Sequence, residues 1–427
     1  MTHTCHTVDG LHGEIRMPGD KSISHRALLI SALAEGTSRI QGLSDAADPR
    51  STANCLRALG VDVQVADNET VVVGKGLRGF TAPTHDLDAG NSGTSMRLLT
   101  GILAGQKFNT AIVGDDSLCR RPMRRVADPL RSMGAEIELS ASDTAPINIY
   151  GRKKLKGIDY TLPVPSGQVK SALLFAGLLA DGTTTIRETI QTRDHTERML
   201  GLRTLQEGDR LVTAVEGGAA VPFGDIVIPG DFSAAAFFIV AALITKRSEL
   251  FIQGVGINPT RAAMLDVLRK AGAAVELHNQ RTIGGEPLAD LLVRSSDLRG
   301  TIRLEGDQIP QLIDEIPILA VSGLFAEGFR LRNATELRTK ESDRIEALVR
   351  NLRALGNDVE EYGDGFAFQS KKGNIGTDIQ SFGDHRIAMA FGIAGLVIPG
   401  VCIQDSECVS VSFPGFWGML NDIARSK

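Results

Sequence analysis

The stretch "MPGDKSISHRALLISALAEG", residues 17–36, decides the reading of the fold, because altered copies of it recur along the chain. Pro18-Gly19-Asp20 is turn chemistry, and the Leu/Ile/Ala run that follows carries helical periodicity. The copies sit at Gly93 in "DAGNSGTSMRLLTGILAG", Gly167 in "PVPSGQVKSALLFAGLLADG" and Gly230 in "IPGDFSAAAFFIVAALI". Two more sit at Gly306 in "EGDQIPQLIDEIPILAVSGLFAEG" and Gly383 in "SFGDHRIAMAFGIAGLVIPG". Successive glycines lie 63 to 77 residues apart, the mark of an internal repeat.

Each copy continues alike. A Gly-bearing turn leads to a short β-branched strand: "TSRIQGL", "NTAIVGD", "TTTIRET", "SELFIQG", "FRLRNAT" and "GVCIQDS". A second helix follows, often closing on "LRALGVDVQV", "LRSMGAEIEL", "LRKAGAAVEL" or "LRALGNDVEE". There the Gly is a helix C′ stop and the alternating tail a strand. The pattern predicts an α/β protein of six β-α-β-α-β-β units. Six copies suit two lobes of three better than an open solenoid, which would need polar capping repeats. "DIVIPGDFS" echoes "GEIRMPGDKS", and the matching segments predict two crossings between lobes. Residues 20–230 are therefore expected to form the second lobe, and residues 1–19 with 231–427 the first. A cut at mid-chain without crossing is the alternative.

Composition narrows the function. The 427 residues are 42% apolar and 23% charged with a net charge of -5, so no overall basic field draws the chain to nucleic acid or anionic membrane. Aromatics at 5% are too sparse for base-stacking platforms. The N-terminus lacks the pattern of a signal peptide, and the apolar run Ala234–Ile244 is far shorter than a membrane span. Five cysteines without a CxxC pair fit reduced thiols in a cytoplasmic protein. His3, Cys5 and His6 are read as part of a frayed terminus rather than a metal grip.

Cations cluster at two places in the repeat. Lys21/Arg26, Arg97, Lys170 and Arg386 lie at or inside the first helix; Arg120/Arg121, Arg193 and Lys340/Arg344 follow the next strand. Helix starts offer free N–H groups and partial positive charge, so pseudo-symmetric repeats predict convergence of these groups on an anion site in the interlobe cleft. An acidic protein with such a cluster suits a small polyanion, each charge-assisted contact contributing about 1.5–3 kcal/mol. "GDKS" resembles the end of a P-loop, but Asp20 separates Gly19 from Lys21 and the required G-K-[ST] is absent. No metal-ligand spacing or nucleotide fingerprint appears, so no cofactor and no metal is expected. Two carboxylates stand among the cations. Asp314 precedes Pro317, which suits a helix's first turn, and Glu341 lies between Lys340 and Arg344, which would share a face at i,i+4.

In this order, "PGDKSISHR", "NSGTSMR", "RRPM", "PSGQVKSALL", "TRDHTE", "IDEIP", "RTKESDRI" and "GDHRIAMA" resemble the signature segments of the EPSP synthase family. "TRDHTE" and "IDEIPILAV" resemble the bacterial subgroup that includes herbicide-tolerant enzymes. The resemblance implies a two-lobed inside-out α/β barrel whose lobes close around the substrates, without cofactor. It implies transfer of the enolpyruvyl group of phosphoenolpyruvate to the 5-hydroxyl of shikimate 3-phosphate, in the shikimate pathway to chorismate and aromatic amino acids. A cytoplasmic monomer acting on two small molecules, with no nucleic-acid or membrane partner, is expected.

Motif by motif, the resemblance assigns Lys21, Ser22, Arg26, Ser166, Gly167, Gln168, Arg193, Asp314 and Lys340 to shikimate 3-phosphate. It assigns Lys21, Gly93, Arg121, Gln168, Arg344 and Arg386 to phosphoenolpyruvate. Asp314 would take the proton of the attacking hydroxyl and Glu341 would protonate the methylene carbon, with His385 either supporting the site or packing. The sequence also departs from the family. Val411 stands where many members carry Lys, and Gly167 replaces a small residue with a β-carbon. Gly93 leaves room for glyphosate, whereas the subgroup resemblance points to tolerance. UDP-N-acetylglucosamine enolpyruvyl transferase shares the repeat logic, but "GDKSISHR" is not its opening and Cys119 is a poor match for its reactive loop Cys. An RNA-end-processing protein on related repeats is disfavoured by the acidic charge and few aromatics.

Overall fold

The recurring turns start buried helices. In the computed structural model, which describes residues 1–66, 69–151, 154–371 and 373–425, the Asp20 carboxylate accepts from the Ile23 amide at 2.8 Å and opens the helix Lys21–Leu33. Ser92 caps Gly93–Leu103 through the Ser95 amide, and Ser166 caps Gly167–Leu178 through the Val169 amide. Asp231 caps Phe232–Ile244 and Asp384 caps His385–Ala394. Each such cap stabilises its helix by about 0.5–2 kcal/mol relative to Ala. The fifth copy differs: a short helix Ile309–Leu312 precedes Ile316–Gly323, and Pro317 in the first turn replaces the side-chain cap.

Beyond their first turns these helices expose almost nothing: every residue from Ile23 to Leu33 is buried, as is every residue of Phe232–Ile244 except Ala234. A helix as apolar as Phe232–Ile244 belongs inside a core rather than on its surface. Backbones approach closely there: a β-carbon on Gly101 would lie 2.2 Å from the Ala172 carbonyl oxygen, so only Gly lets these two helices meet.

The second helices end as expected. Gly60, Gly134, Gly272 and Gly356 follow Ala47–Ala58, Arg124–Ser132, Ala263–Lys270 and Arg344–Ala354 with φ of 84°, 98°, 95° and 92°. The next amide returns in each case to a carbonyl in the last turn, as from Val61 to Leu56 and from Asn357 to Leu352. That is the left-handed stop that Gly adopts without strain.

The chain divides into two compact units: Met1–Pro18 with Pro229–Thr282 and Pro287–Lys427, and Gly19–Ile228 with Ile283–Glu286. Among the described residues each unit carries three sheets. Within a sheet a parallel pair, such as Thr301–Leu304 beside Gly328–Leu331, continues into an antiparallel pair, here Gly365–Gln369 and Val359–Tyr362. Alternating burial along strands such as Thr37–Gln41 turns one face to the helices and the other outward. Helices inside and sheets outside give the inside-out arrangement, built from separate sheets, none of them closed into a barrel.

Two sheets exchange a strand. His12–Arg16 pairs in parallel with Glu249–Gly256, and Asp225–Val227 pairs in parallel with Thr37–Gln41. The first strands of the first and fourth copies have thus traded places, which is the physical content of the echo between "GEIRMPGDKS" and "DIVIPGDFS". The sixth copy corrects the six-fold expectation. After Asp378–Gln380, His385–Ala394 and Cys402–Gln404 come a 3-10 turn, Ser406–Val411, and the helix Phe416–Arg425, with no closing strand pair among the described residues. His3–Thr4 completes that sheet antiparallel to Cys402–Gln404, His3 stacks on Trp417 at 3.9 Å, and Cys5 is buried. The terminus is therefore pinned, not frayed. All five cysteines are free thiols.

Candidate active site

The unit containing Gly19–Ile228 gathers the first group of cations around helix starts. Lys21, the first residue of its helix, is 2.9 Å from Asp48. Ser22 lies beside it, and its carbonyl accepts from Arg26 at 2.9 Å. Arg26 is buried and donates to Thr196 and Ser171, each at 2.8 Å. Burial pushes its pKa down to about 10, with Glu197 opposing and Arg193 adding to the shift, so it stays cationic at neutral pH.

A second corner forms at Gly93 and Gln168. Arg97 donates to the Gln168 carbonyl oxygen at 2.8 Å, and the Gln168 amide donates to Thr94 at 2.9 Å, locking the Gln side chain. Arg121 donates to Asn91 at 3.0 Å. A β-carbon on Gly93 would meet Arg97 Nη1 at 2.6 Å and Arg121 Nη1 at 3.5 Å, so this position looks directly onto two guanidiniums. Ser166 is committed to capping, and a β-carbon on Gly167 would lie 3.4 Å from Cβ and from the carbonyl oxygen of Arg193.

Lys170 departs from the expectation of an anion ligand. It is buried 2.8 Å from Glu188 and 2.7 Å from Glu197, and those two charges outweigh desolvation and hold its pKa above the ordinary lysine value. It is a structural ion triad. Arg97 likewise spends its hydrogen bonds on Gln168, Gly93 and Pro122.

The other unit builds a carboxylate cluster on one guanidinium. Arg344 is buried and opens the helix Arg344–Ala354, capped by Asp343. Its Nε donates to Asp384 at 2.8 Å and its Nη2 to Glu341 at 2.6 Å, while Nη1 lies 3.5 Å from Asp314 Oδ1. Burial alone would lower its pKa, but Asp384, Glu341 and Asp314 together hold it above the ordinary arginine value. Burial likewise pushes the Asp384 carboxyl up, and the Arg344 charge overrides it, leaving Asp384 below the usual range. Arg386 donates from Nη1 to the Asp314 carbonyl oxygen at 2.9 Å, with Nη2 4.0 Å from the Asp314 carboxylate. Exposure separates the three acids: 17% for the Asp314 side chain, 24% for Glu341 and 0% for Asp384. Only the first two can reach a solute.

Lys340 corrects a sequence expectation. It does not share a helical face with Arg344, because it follows the 3-10 turn Thr335–Thr339 and precedes the cap; its ammonium lies 3.5 Å from Glu336. His385 is buried in the first turn after Asp384. Cys119 sits in the short turn Leu118–Arg120 with its thiol directed to the Gly114 carbonyl.

Sequence reasoning missed the partners that hold these groups: Asp48, Thr94, Ser171, Thr196 and Asp384. Asp384 had a visible signal, since the "GD" before the helix recurs as Asp20 and Asp231. Asp48 had none, because nothing in "DAADPR" distinguishes one acid from another.

Burial also makes His25 an acid-sensitive group. Its Nδ1 is 2.7 Å from Thr52 Oγ1, and its pKa is pushed down from 6.5 to about 3 by burial, with Asp48 opposing and Lys21 and Arg26 adding to the shift. Above pH 6.5 both folded and unfolded forms are neutral and the group contributes nothing. As pH falls from 6.5 to about 3 the unfolded chain gains a proton that the native form refuses, so stability is lost by up to ~1.4 kcal/mol per pH unit. Replacing His25 by Gln is expected to reduce the slope of unfolding free energy against pH, measured in urea between pH 6 and 4, by about one proton. An unchanged slope contradicts the assignment.

The comparisons with known proteins agree. The family whose model matches, over residues 6–420, is EPSP synthase (3-phosphoshikimate 1-carboxyvinyltransferase). A 3-phosphoshikimate 1-carboxyvinyltransferase of Salinibacter ruber is 48% identical over 432 residues, covering 100% of both chains. That of Geobacter sulfurreducens is 49% identical, covering 98% of each. A solved EPSP synthase from Acinetobacter baumannii superposes with a TM-score of 0.86 at 41% identity, over 99% of this chain and 98% of that one. Identity of this depth along the whole length, on the same fold, places the chain in the EPSP synthase family.

Proposed function

We propose that this protein transfers the carboxyvinyl group of phosphoenolpyruvate to the 5-hydroxyl of shikimate 3-phosphate and releases inorganic phosphate. The observation that carries the reading is the pair of solvent-reaching carboxylates, Asp314 and Glu341, gathered by the buried guanidinium of Arg344. Addition to an enol double bond needs a base at the oxygen nucleophile and an acid at carbon, and this pair supplies both.

In this reading Asp314 accepts the hydroxyl proton as the new carbon–oxygen bond forms at C2 of phosphoenolpyruvate. Glu341 delivers a proton to the methylene carbon, which becomes a methyl group. Glu341, now ionised, then takes a proton back from that methyl group, the double bond re-forms, and the carbon–oxygen bond to phosphate breaks, the phosphate leaving with the proton held by Asp314. Lys21, Ser22, Arg26, Ser166, Gly167, Gln168, Arg193, Asp314 and Lys340 hold shikimate 3-phosphate. Lys21, Gly93, Arg121, Gln168, Arg344 and Arg386 hold phosphoenolpyruvate. In this reading the protein acts as a cytoplasmic monomer. Holding two reactants in register contributes up to roughly 7–11 kcal/mol of barrier reduction.

Breaking carbon–oxygen rather than phosphorus–oxygen removes the need for a metal clamp on a transferring phosphoryl group. Phosphate release is therefore expected only when both substrates are present, and undiminished by a metal chelator. Release from phosphoenolpyruvate alone, or loss of activity on chelation, contradicts the reading.

A further inference from the structure

His25 has no part in that mechanism, yet it begins a chain of buried hydroxyls. Its Nδ1 is 2.7 Å from Thr52 Oγ1, which is 2.6 Å from Ser95 Oγ. Ser95 Oγ is 2.7 Å from Ser92 Oγ and 3.4 Å from the Asp48 carbonyl oxygen. All four side chains are shut off from solvent. They come from three segments: the helix Lys21–Leu33, the helix Ala47–Ala58, and the capped start of Gly93–Leu103.

Stability does not call for such a chain. Val, Ala and Leu would fill the same interior with no polar group to satisfy, whereas a hydroxyl chain is tolerated in a core only when every member is paired. What it does achieve is register, because hydrogen bonds are directional where apolar packing is not. Its far end abuts a ligand position. Ser92 immediately precedes Gly93, the position that faces Arg121.

We propose that Thr52 and Ser95, oriented by His25, are positioning residues that fix the Ser92–Gly93 turn in the register needed to bind phosphoenolpyruvate. The inference rests on the carboxyvinyl-transfer reading. The shikimate 3-phosphate contacts of Arg26 run instead through Thr196 and Ser171, outside this chain. The two substrates should therefore respond differently to its loss.

The test is steady-state kinetics on the full-length protein with each substrate varied in turn, for the wild type, Thr52→Val and Thr52→Ser. Thr52→Val keeps shape and removes both hydrogen bonds; Thr52→Ser keeps the hydroxyl. The expected result is a rise of about 10-fold in KM for phosphoenolpyruvate in Thr52→Val, with KM for shikimate 3-phosphate changed by less than about twofold and recovery in Thr52→Ser. If Thr52→Val does not fold, Ser95→Ala, which deletes a single oxygen, carries the same expectation. A folded variant with KM for phosphoenolpyruvate within about twofold of wild type overturns the inference, as does an equal rise in both KM values. Absence of turnover in the unaltered protein overturns instead the underlying reading, and this inference with it.

Discussion

Replacing Glu341 by Gln is expected to lower kcat by about 10²–10⁴-fold while both KM values stay within about threefold. Gln matches the shape of Glu and still offers an oxygen to Arg344 Nη2, now 2.6 Å from the carboxylate, so the ground-state arrangement survives. On the mechanism proposed here, what disappears is the acid that gives its proton to carbon. The consequence is visible in heavy water: the wild type should place deuterium in the vinyl group of product and of recovered phosphoenolpyruvate, and the variant should place almost none. Undiminished deuterium incorporation in the variant would assign the acid to another residue.

The second large effect concerns stability. Replacing Arg344 by Met leaves Asp384, with 0% of its side chain exposed, without its countercharge. Removing one partner of a buried ion pair typically costs about 3–5 kcal/mol, because the remaining charge is stranded. Asp314 and Glu341 reach water and suffer less. Adding Asp384→Asn to the Met variant should therefore recover most of the deficit, a coupling a double-mutant cycle reads directly. Lowering the pH should narrow the gap as well, since the stranded carboxyl can then take up a proton. Arg344→Lys should rescue only in part, because one ammonium cannot span three carboxylates as a planar fork does. Urea unfolding of the wild type, Arg344→Met, Asp384→Asn, the double variant and Arg344→Lys measures these effects; additive losses in the double variant would contradict the account of Arg344 as the hub.

Most of the architecture could be read from the chain because its signals are local. Gly60, Gly134, Gly272 and Gly356 mark helix ends by a backbone conformation that only Gly adopts freely, and Asp20, Asp231 and Asp384 mark starts by a side-chain bond to an amide two or three residues on. The trade of strands between His12–Arg16 and Asp225–Val227 left an echo in sequence because both must enter the same kind of helix start. The sixth copy was misread because its sheet is completed by His3–Thr4, nearly 400 residues away, and no local pattern encodes a pairing at that distance.

The site was legible in its residues and not in its pairings. Spacing shows where cations lie but not what they face, as Lys170 illustrates: whether a lysine faces a substrate or two glutamates is decided by tertiary packing. Lys340 would share a face with Arg344 only on a helix already begun, and this one begins at Arg344 because Asp343 rather than an earlier residue supplies the cap. The hydroxyl chain from His25 to Ser92 joins residues with unremarkable neighbours in sequence, and only the fold brings them together.

Fate of the bridging oxygen tests the central claim most directly. With phosphoenolpyruvate carrying ¹⁸O between C2 and phosphorus, turnover with shikimate 3-phosphate should deliver the label wholly into the released phosphate, read by its ³¹P shift or by mass. Label retained on carbon would mean that the phosphorus–oxygen bond breaks, and that the chemistry assigned to Asp314 and Glu341 is not the chemistry this protein performs.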